Sequence, residues 1–600
     1  MSAPMRFEYL ISRSGDIVFS LAVGTMAYFL NERDNPRAQN GKTLLELVSR
    51  AKEKKIRERE ARRAVEELIM LISIVSTLLF TASVVSSTTF FDLSSNQLSY
   101  NAVPKSVFIA TSIGGSSHTK WVLEIGRLLA DRGHNVTYVT RDDQLALADP
   151  FPKIKAVSTG PPVYSNVLGK VETLNFYQIA KVVRKFLNNA YTNDMEYYQQ
   201  LFTTQQVPDL FICDAFNDPC IDTAVALNIP FVITCTGILH QDMSVPYINS
   251  LGTTPHATSQ SMTIWERFHH KYIDLIKTVY HLYPEMMELD QLRVQFGIPG
   301  LGLNRFKKWD NALKLINSYF GFQPSQILSP LTHMIGPVLS ERQKELDPEE
   351  KRYLDTHKRV AYVAFGQIAV PNKREIQILL SALLDQVNRN QLDGIIWVGL
   401  KKHVALIQKK DLSNWRLLGK VVQSPLDFDH IFMPTWAAQF AILSHPSTVL
   451  FVSHGGAESA NEATFNGVPL LINPYFGDQR LVGRALTIAG VARVYDRDTS
   501  TFDLVKHKLD ELLLDPQGHV AHNVSRMQVL AQIGTKRKTF AADLVEEHMF
   551  ASHRGIAHHR FEVSRHISTL KAMDIDLHAT VLTFIALTGF TFHKIINALF

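Results

Sequence analysis

The sequence predicts an α/β fold in which two doubly wound parallel sheets are accompanied by hydrophobic membrane segments. Short apolar strands alternate with amphipathic helices in two separate regions, a pattern typical of parallel sheets. The 600 residues are about four times the length of an average domain, and 46% of them are hydrophobic and 20% charged. These values exclude a wholly disordered, collagen-like or many-pass membrane chain.

The first predicted domain covers residues 104–335. Ser106–Thr111 and Val136–Thr140 have the pattern of buried strands, and His118–Asp131 between them has the pattern of an amphipathic helix. A strand, a helix and a strand at this spacing begin a doubly wound parallel sheet. Ligands bind in such sheets at the loops that follow the carboxyl ends of the strands.

His118 lies in the first of these loops, at the amino terminus of the predicted helix. The helix dipole there disfavours the cationic imidazole, so a neutral His118 is a candidate general base, with a backbone-bonded turn histidine as the alternative. Such a base needs a carboxylate on its other ring nitrogen. Asp214, which follows the apolar strand Leu210–Cys213, is the candidate, whereas Asp209 and Asp218 are expected to be a turn residue and a helix cap.

Two long segments, 173–202 and 261–294, are predicted as helical walls over a cleft because they are rich in aromatic residues and interrupted. Aromatic and methionine side chains at helical spacing are typical of core packing. A pocket for a lipophilic acceptor would use the same residue types, so both interpretations stay open.

The second predicted domain covers residues 336–545 and repeats the alternation of strand and helix. Val360–Phe365 and Gly394–Val398 are predicted strands, and Lys373–Gln386 is the predicted helix between them. The most informative segment of this domain is Trp436–Gln479, because it contains too many distinctive residues in a defined order for coincidence. These residues are Trp436, Gln439, Leu443, His445, Phe451, His454, Gly455, Gly456, Ser459, Glu462, Gly467, Val468, Pro469, Pro474, Asp478 and Gln479.

In order and spacing, this segment resembles the donor-site signature of the UDP-glycosyltransferases, an inverting family of the GT-B type that acts on small molecules. The resemblance covers roughly residues 104–595. It implies a GT-B fold, in which two doubly wound Rossmann-like domains face a cleft. It also implies transfer of a hexose, with glucose favoured, from a UDP-sugar co-substrate to a hydroxyl of a lipophilic small molecule, without a cofactor or a required metal.

The resemblance implies that nine residues bind the UDP-sugar, and the chemistry of each residue type fits its role. The Trp436 indole offers a flat face to uracil, and Glu462 and Gln439 can bind the ribose hydroxyls. A backbone loop at a helix amino terminus can cradle a diphosphate, with an imidazole and a hydroxyl beside it. The assigned residues, ending with the pair expected to bind the sugar hydroxyls, are Trp436, Gln439, Glu462, His454, Gly455, Gly456, Ser459, Asp478 and Gln479. His445 is expected to be structural.

Three positions depart from the family pattern: Ala438 stands in place of a proline, Glu458 in place of an asparagine and Gln367 in place of a serine. Glu458 matters most, because an ionised carboxylate beside a diphosphate opposes binding. We expect its side chain to turn away or to be held by a cation, or else donor affinity to be reduced. These departures keep open an alternative function as a membrane-tethered binding or scaffold protein without transfer activity.

No metal site is predicted. The motif Asp427-Phe428-Asp429 formally resembles the metal-binding Asp-x-Asp of other glycosyltransferases, but its loop-like context favours a solvated segment. Cys213, Cys220 and Cys235 lack the Cys-x-x-Cys spacing of metal or redox motifs. Because three cysteines cannot all pair, buried thiols are the expectation.

Two uncharged runs are candidate membrane segments. Residues 68–91 are long enough to cross a bilayer and also fit a cleavable secretory signal. Arg62 and Arg63 precede this run, so the positive-inside bias places the following body in a lumen, expected to be that of the endoplasmic reticulum. After a polar return segment, 546–576, residues 577–597 are predicted as a terminal anchor, with a core helix as the alternative.

The net charge of +5 is confined to a short segment in the first part of the chain. Residues 50–63 carry eight basic and three acidic side chains, so the remainder is formally neutral. A basic excess outside any folded face argues against a nucleic-acid partner and favours a membrane-flanking role. The expected partners are therefore a UDP-sugar, a lipophilic acceptor and a membrane, and homo-oligomerisation is left open.

Residues 1–67 differ from the rest of the chain. An apolar run, Ile17–Leu30, is followed by an arm rich in Lys, Arg and Glu that is too short for a domain core. The segment Tyr9–Asp16 and its apolar sequel resemble a small fungal protein of non-classical export. The arm is then either a fused unit or a join in the gene model near Met70.

Overall fold

The computed structural model describes residues 103–599, except for the short gaps 112–114, 163–175, 205–206, 239–244, 250–253, 255, 303–307, 367–368, 401–415, 418–419, 422–429, 476 and 498. The predictions for residues 1–67, for residues 68–91, for Gln367 and for the Asp427–Asp429 motif lie outside the described residues. Residues 101–563 form one compact unit, and residues 564–600 belong to another.

The first sheet of the larger unit has seven strands, all paired in parallel, in the order β3-β2-β1-β4-β5-β6-β7. The strand order runs outward in both directions from β1, so the sheet is doubly wound as predicted. Its strands are β1 (Ser106–Ala110), β2 (Asn135–Thr140), β3 (Ile154–Ser158), β4 (Leu210–Asp214), β5 (Phe231–Cys235), β6 (Leu313–Ile316) and β7 (Thr332–Met334).

The second sheet has six parallel strands in the order β12-β9-β8-β13-β14-β15, and β10 and β11 form a separate antiparallel ribbon. The second region of alternating strands and helices is therefore also a doubly wound sheet. Its strands and those of the ribbon are β8 (Val360–Ala364), β9 (Gly394–Trp397), β10 (Arg416–Leu417), β11 (Lys420–Val421), β12 (Ile431–Phe432), β13 (Thr448–Ser453), β14 (Leu470–Ile472) and β15 (Ala492–Val494).

Helices cover the sheets, and both predicted aromatic walls are helical. The first wall is α2, and the second consists of α4 and α5 joined by a wide turn, His269–Ile273. The α-helices are α1 (Ser116–Asp131), α2 (Phe176–Thr204), α3 (Asp218–Leu227), α4 (Ile264–Phe268), α5 (Asp274–Gln295), α6 (Pro348–Thr356), α7 (Lys373–Asn388), α8 (Gln439–Ser444), α9 (Ala457–Asn466), α10 (Gln479–Ile488), α11 (Phe502–Leu513), α12 (His519–Gly534), α13 (Lys538–Ala551), α14 (Thr569–Ala572) and α15 (Ile575–Leu599).

The ends of the helices follow local capping chemistry. Asn372 and Glu375 form a capping box at the start of α7, in which each side chain accepts a backbone N–H of the other residue. At the start of α3 the cap is Asn217, whose side chain accepts the N–H of Cys220. The prediction that Asp218 caps this helix was therefore wrong by one position; Asp218 instead forms ion pairs with Arg184 and Arg293.

Cys213 and Cys220 form a disulfide, and Cys235 is buried outside it. The expectation of three buried thiols was therefore wrong. Cysteine spacing alone leaves three pairings open, and the strand-to-helix turn after β4 is what brings these two residues together.

The helix α13 returns to the first sheet after the chain has built the second. Its residues Ala541, Ala542 and Val545 are buried in the same hydrophobic cluster as β1 and α1. On the same helix, Glu546 pairs with His134 at 2.9 Å and also with Arg132. The two sheets therefore share one compact unit in which the last part of the chain completes the first core.

The second unit ends in α15. Within it, Ile575–Ile595 is, by length and composition, apolar enough to cross a membrane, and it is the one such helix among the described residues. Its most apolar window is 0% buried, unlike the core helix that was the alternative interpretation of this run.

Candidate active site

His118 and Asp214 are in direct contact at the carboxyl edge of the first sheet. Nδ1 of His118, in the first turn of α1, lies 2.7 Å from Oδ2 of Asp214, the last residue of β4. The other carboxylate oxygen accepts the Phe216 N–H at 2.9 Å, so Asp214 is held from two sides. This contact favours the tautomer with its proton on Nδ1, which leaves Nε2 of His118 to accept a proton.

The charge state of His118 is set by both sheets. Burial alone would lower its pKa, but the charge and hydrogen bond of Asp214, together with the charges of Asp478 and Glu458, raise the pKa above 6.5. The negative groups around His118 therefore outweigh the effect of its burial on the pKa. His118 is a stronger base than an ordinary histidine, and it is neutral only above its raised pKa.

In the second domain, three of the residues assigned to the nucleotide are hydrogen-bonded to one another. The Gln439 amide donates to Ser459 Oγ at 3.1 Å and to Glu462 Oε2 at 2.6 Å. Trp436 lies just before them and is 61% exposed, so its indole is open to a stacking partner. The structure thus brings Gln439, Ser459 and Glu462 together, and their binding of the nucleotide stays a prediction.

The surroundings of Glu462 favour the protonated form of its carboxyl group. Burial, followed by the charge of Glu458, raises the pKa of Glu462 to about 8. A protonated carboxyl is a poorer acceptor for ribose hydroxyls than a carboxylate. Glu458 therefore influences the predicted ribose site as well as the predicted phosphate site.

His454, Gly455 and Gly456 form the loop between β13 and the amino terminus of α9. A Cβ atom on Gly456 would lie 2.5 Å from Nε2 of His454, and one on Gly366 would lie 3.0 Å from the same ring. Burial lowers the pKa of His454 to about 4, and its buried Nδ1 has no hydrogen-bond partner among the described residues. His454 is thus a neutral hydrogen-bonding group here, which leaves the charge of a diphosphate to the helix terminus.

The last predicted pair, Asp478 and Gln479, have different surroundings. Asp478 interacts electrostatically with His118 and forms a hydrogen bond with Thr236 of the first domain, and burial raises its pKa. The Gln479 side chain is buried, and its amide oxygen accepts the Tyr475 N–H at 2.7 Å. Asp478 is therefore the member of the pair that lies near His118.

Two of the departures from the family pattern have a structural partner. The Ser116 hydroxyl of the first domain donates to Glu458 Oε2 at 3.2 Å, so this carboxylate is held across the cleft by a hydroxyl rather than by a cation. The Ala438 N–H donates to Glu350 Oε1 at 3.1 Å, a bond that proline could not make. His445, expected to be structural, contacts Asp355 at 3.4 Å.

Replacing Glu458 by asparagine is expected to tighten UDP binding by about tenfold, because a negative charge is removed from the amino terminus of α9. The change also removes one cause of the raised pKa of Glu462. Calorimetric titration with UDP at pH 7 measures the effect. Ser116→Ala is the matched control, since it removes the hydrogen bond and keeps the charge. An unchanged dissociation constant for Glu458→Asn would dismiss the electrostatic penalty.

Arg484 joins the two domains and could not be identified from the sequence. Its guanidinium, on α10, donates to the carbonyls of Thr254 at 2.6 Å, His256 at 2.9 Å and Asn249 at 2.9 Å. Burial lowers the pKa of Arg484, and a fork of N–H donors compensates by binding three carbonyls. Asp478 is the N-cap of the same helix, so Arg484 ties the predicted sugar-binding helix to the loop of the first domain.

Arg484→Ala is expected to lower the free energy of unfolding by about 2 kcal/mol, because it leaves three carbonyls without a charged donor. Urea unfolding followed by tryptophan fluorescence measures the loss. Arg480→Ala is the matched control on the same helix: Arg480 is 57% exposed and lies 3.8 Å from Asp496, so its loss is expected to cost less than about 0.5 kcal/mol. Equal effects of the two changes would contradict a clamp at Arg484.

Comparison with known proteins agrees with this geometry. A family model described as UDP-glucoronosyl and UDP-glucosyl transferase matches residues 115–558, and a second, described as non-classical export protein 1, matches residues 9–53. UDP-glycosyltransferase FPY2 of Fusarium mangiferae is 26% identical over 75% of this chain and 84% of its own length. UDP-glycosyltransferase 1 of Phaeomoniella chlamydospora is 30% identical over 64% of this chain and 76% of its own length.

Solved structures show the same architecture. The glycosyltransferase of kitacinnamycin superposes with a TM-score of 0.53 at 20% identity, covering 74% of this chain and 99% of the other. The calicheamicin glycosyltransferase CalG4 superposes with a TM-score of 0.50 at 17% identity, covering 74% and 98%. The two parallel sheets thus have the architecture of the GT-B fold. The family match over most of the chain is more specific: the chain belongs to the UDP-glycosyltransferase family and is a UDP-sugar-dependent transferase.

Proposed function

We propose that this enzyme transfers a hexose, with glucose as the first candidate, from UDP to a hydroxyl of a lipophilic small molecule, with inversion. The observation that carries the proposal is the 2.7 Å contact between His118 and Asp214, with Asp478 of the other domain close enough to shift the pKa of His118. A base from one sheet and a sugar-binding carboxylate from the other are then in position for one transfer step.

In the proposed step, Nε2 of His118 takes the proton of the acceptor hydroxyl as its oxygen bonds to the anomeric carbon of the hexose. The bond from that carbon to the diphosphate oxygen breaks on the opposite face, and its electron pair leaves with UDP. Asp214 stabilises the imidazolium that forms. The amino terminus of α9 and the neighbouring backbone N–H groups stabilise the departing diphosphate.

The proposed roles in donor binding follow the contacts of the second domain. Trp436 stacks on uracil, Gln439 and Glu462 bind the ribose, and Asp478 with Gln479 binds the hexose. His454, Gly455, Gly456 and Ser459 hold the diphosphate. We predict that no metal takes part. Measuring activity in the presence of excess EDTA tests this prediction.

A lipophilic acceptor is supported by the walls of the first domain. The aromatic helices α2 and α5 pack side by side. On α5, the apolar side chains of Leu275, Ile276 and Tyr280 are exposed. Apolar surface of this kind binds ligands with large hydrophobic groups.

The test is turnover of UDP-hexoses by membranes that contain the full chain, with a mixture of lipophilic alcohols and phenols and with mass spectrometry of the products. We expect a mass gain of one hexose and, by NMR, an anomeric configuration opposite to that of the donor. A retained configuration would contradict inversion. UDP binding without turnover on any acceptor would favour the scaffold function, to which the Glu458 carboxylate at the phosphate site points.

We also propose that the enzyme is anchored by Ile575–Ile595 with its body in the lumen of the endoplasmic reticulum. The disulfide Cys213–Cys220 supports this placement, because disulfides persist in oxidising compartments. Protease protection in sealed microsomes tests it. Digestion of the body in intact vesicles would contradict a lumenal location.

A further inference from the structure

The disulfide Cys213–Cys220 encloses the residue that holds the proposed base. Cys213 is the residue before Asp214 on β4, and Cys220 lies in the first turn of α3. Both cysteines are 0% exposed. The crosslink thus closes an eight-residue ring at the carboxyl end of a strand, where the carboxylate of Asp214 leaves the sheet.

Two hydrogen bonds that hold Asp214 within its own segment lie inside this ring. Its side chain accepts the Phe216 N–H at 2.9 Å, and its carbonyl accepts the Asn217 N–H at 2.8 Å. The Asn217 side chain in turn accepts the Cys220 N–H at 3.0 Å. These contacts connect Asp214 through the turn to Cys220. Cys220 is bonded in turn to Cys213, the residue before Asp214.

The ring also supports His118 directly. The Phe216 ring lies 5.5 Å from the imidazole, centroid to centroid. The six residues between the two crosslinked ends have few alternative conformations, so the carboxylate and the aromatic ring keep their places beside His118.

We propose that Cys213 and Cys220 are positioning residues for transfer: their disulfide fixes the turn that aligns Asp214 with His118. The inference rests on the proposed function, because it assumes that His118 is the base. It gives the disulfide a role in catalysis in addition to any role in stability. The donor site on the second sheet should not depend on it.

The test compares a Cys213→Ala/Cys220→Ala double variant with the wild-type chain and with Cys235→Ala. Cys235 is buried on β5 outside the disulfide, so its replacement controls for loss of a buried thiol. In the double variant we expect kcat to fall by about tenfold or more, since small misplacements of catalytic groups are costly. The KM for the UDP-hexose and the Kd for UDP should change by less than about twofold.

The pH profile separates a positioning role from a structural one. A loosened Asp214 raises the pKa of His118 less, so the acid limb of kcat should move to lower pH in the double variant and stay in place in Cys235→Ala. Thiol titration of the denatured wild-type chain should find one reactive thiol before reduction and three after it.

Wild-type kcat and pH profile in a folded double variant would overturn the proposal, as would three reactive thiols before reduction. If the double variant fails to fold, the thiol count still decides whether the crosslink exists, and Cys220→Ser alone supplies the kinetic test. His118→Ala, measured in parallel, separates the two hypotheses: full activity in that variant refutes the base. An inactive His118→Ala beside a fully active double variant refutes only the positioning role.

Discussion

His118→Ala is expected to lower kcat by about 100- to 10 000-fold, because the acceptor hydroxyl then loses the group that takes its proton. Binding of UDP should be retained, since the residues assigned to the nucleotide lie on the other sheet. Steady-state kinetics with a UDP-hexose and calorimetry with UDP measure the two quantities separately. His445→Ala is the matched control, because that histidine contacts Asp355 and has no proposed role.

The same site has a predictable pH dependence. In the proposed mechanism transfer requires neutral His118, and Asp214 is the main group that raises the pKa of His118 above 6.5. We therefore expect kcat to rise with pH through this raised pKa. Asp214→Asn should move that limb to lower pH while lowering the maximum, because the amide removes the charge and no longer fixes the tautomer. A limb at the same pH in both forms would exclude His118 as its origin.

Gly456→Ala is expected to weaken UDP binding by about 5- to 150-fold, equivalent to about 1–3 kcal/mol of overpacking. The added Cβ would lie 2.5 Å from Nε2 of His454, so the imidazole must leave its place beside the phosphate loop. Calorimetric titration with UDP measures the loss. The fold should persist, because a displaced side chain can relieve the clash.

A double-variant cycle isolates this mechanism. In a His454→Ala background the ring that clashes is absent, so adding Gly456→Ala should cost little further affinity. If Gly456→Ala costs the same in both backgrounds, the loss comes from the backbone of the loop and not from the imidazole. Unchanged binding in the single variant would remove the loop from the proposed phosphate site.

The fold was predictable because its elements are local in sequence. The predicted strands over β1 and β8 and the predicted helix over α1 agree with the structure to within one or two residues, since apolar runs and turn residues mark their ends. The pairing of His118 with Asp214 was also accessible. Both follow strands of one parallel sheet, and the carboxyl ends of such strands meet at one edge.

The remaining features depend on contacts that no local pattern encodes. Arg484 binds backbone carbonyls of a loop more than two hundred residues away, and carbonyls leave no trace in a sequence. The raised pKa of His118 sums charges from Asp214, Asp478 and Glu458, which lie on elements of both sheets. Which two of the three cysteines form the disulfide depends on the geometry of one turn.

The helix α13, which packs into the first core, affects the folding of the chain during synthesis and the design of chimeras. Ala541, Ala542 and Val545 fill a core whose first strand emerges from the ribosome more than four hundred residues earlier. Until residues 538–551 have been synthesised, the apolar surface that they cover in the first core is therefore exposed. A chimera that takes its front half from this chain and its back half from a relative would need residues 538–551 from the front-half parent.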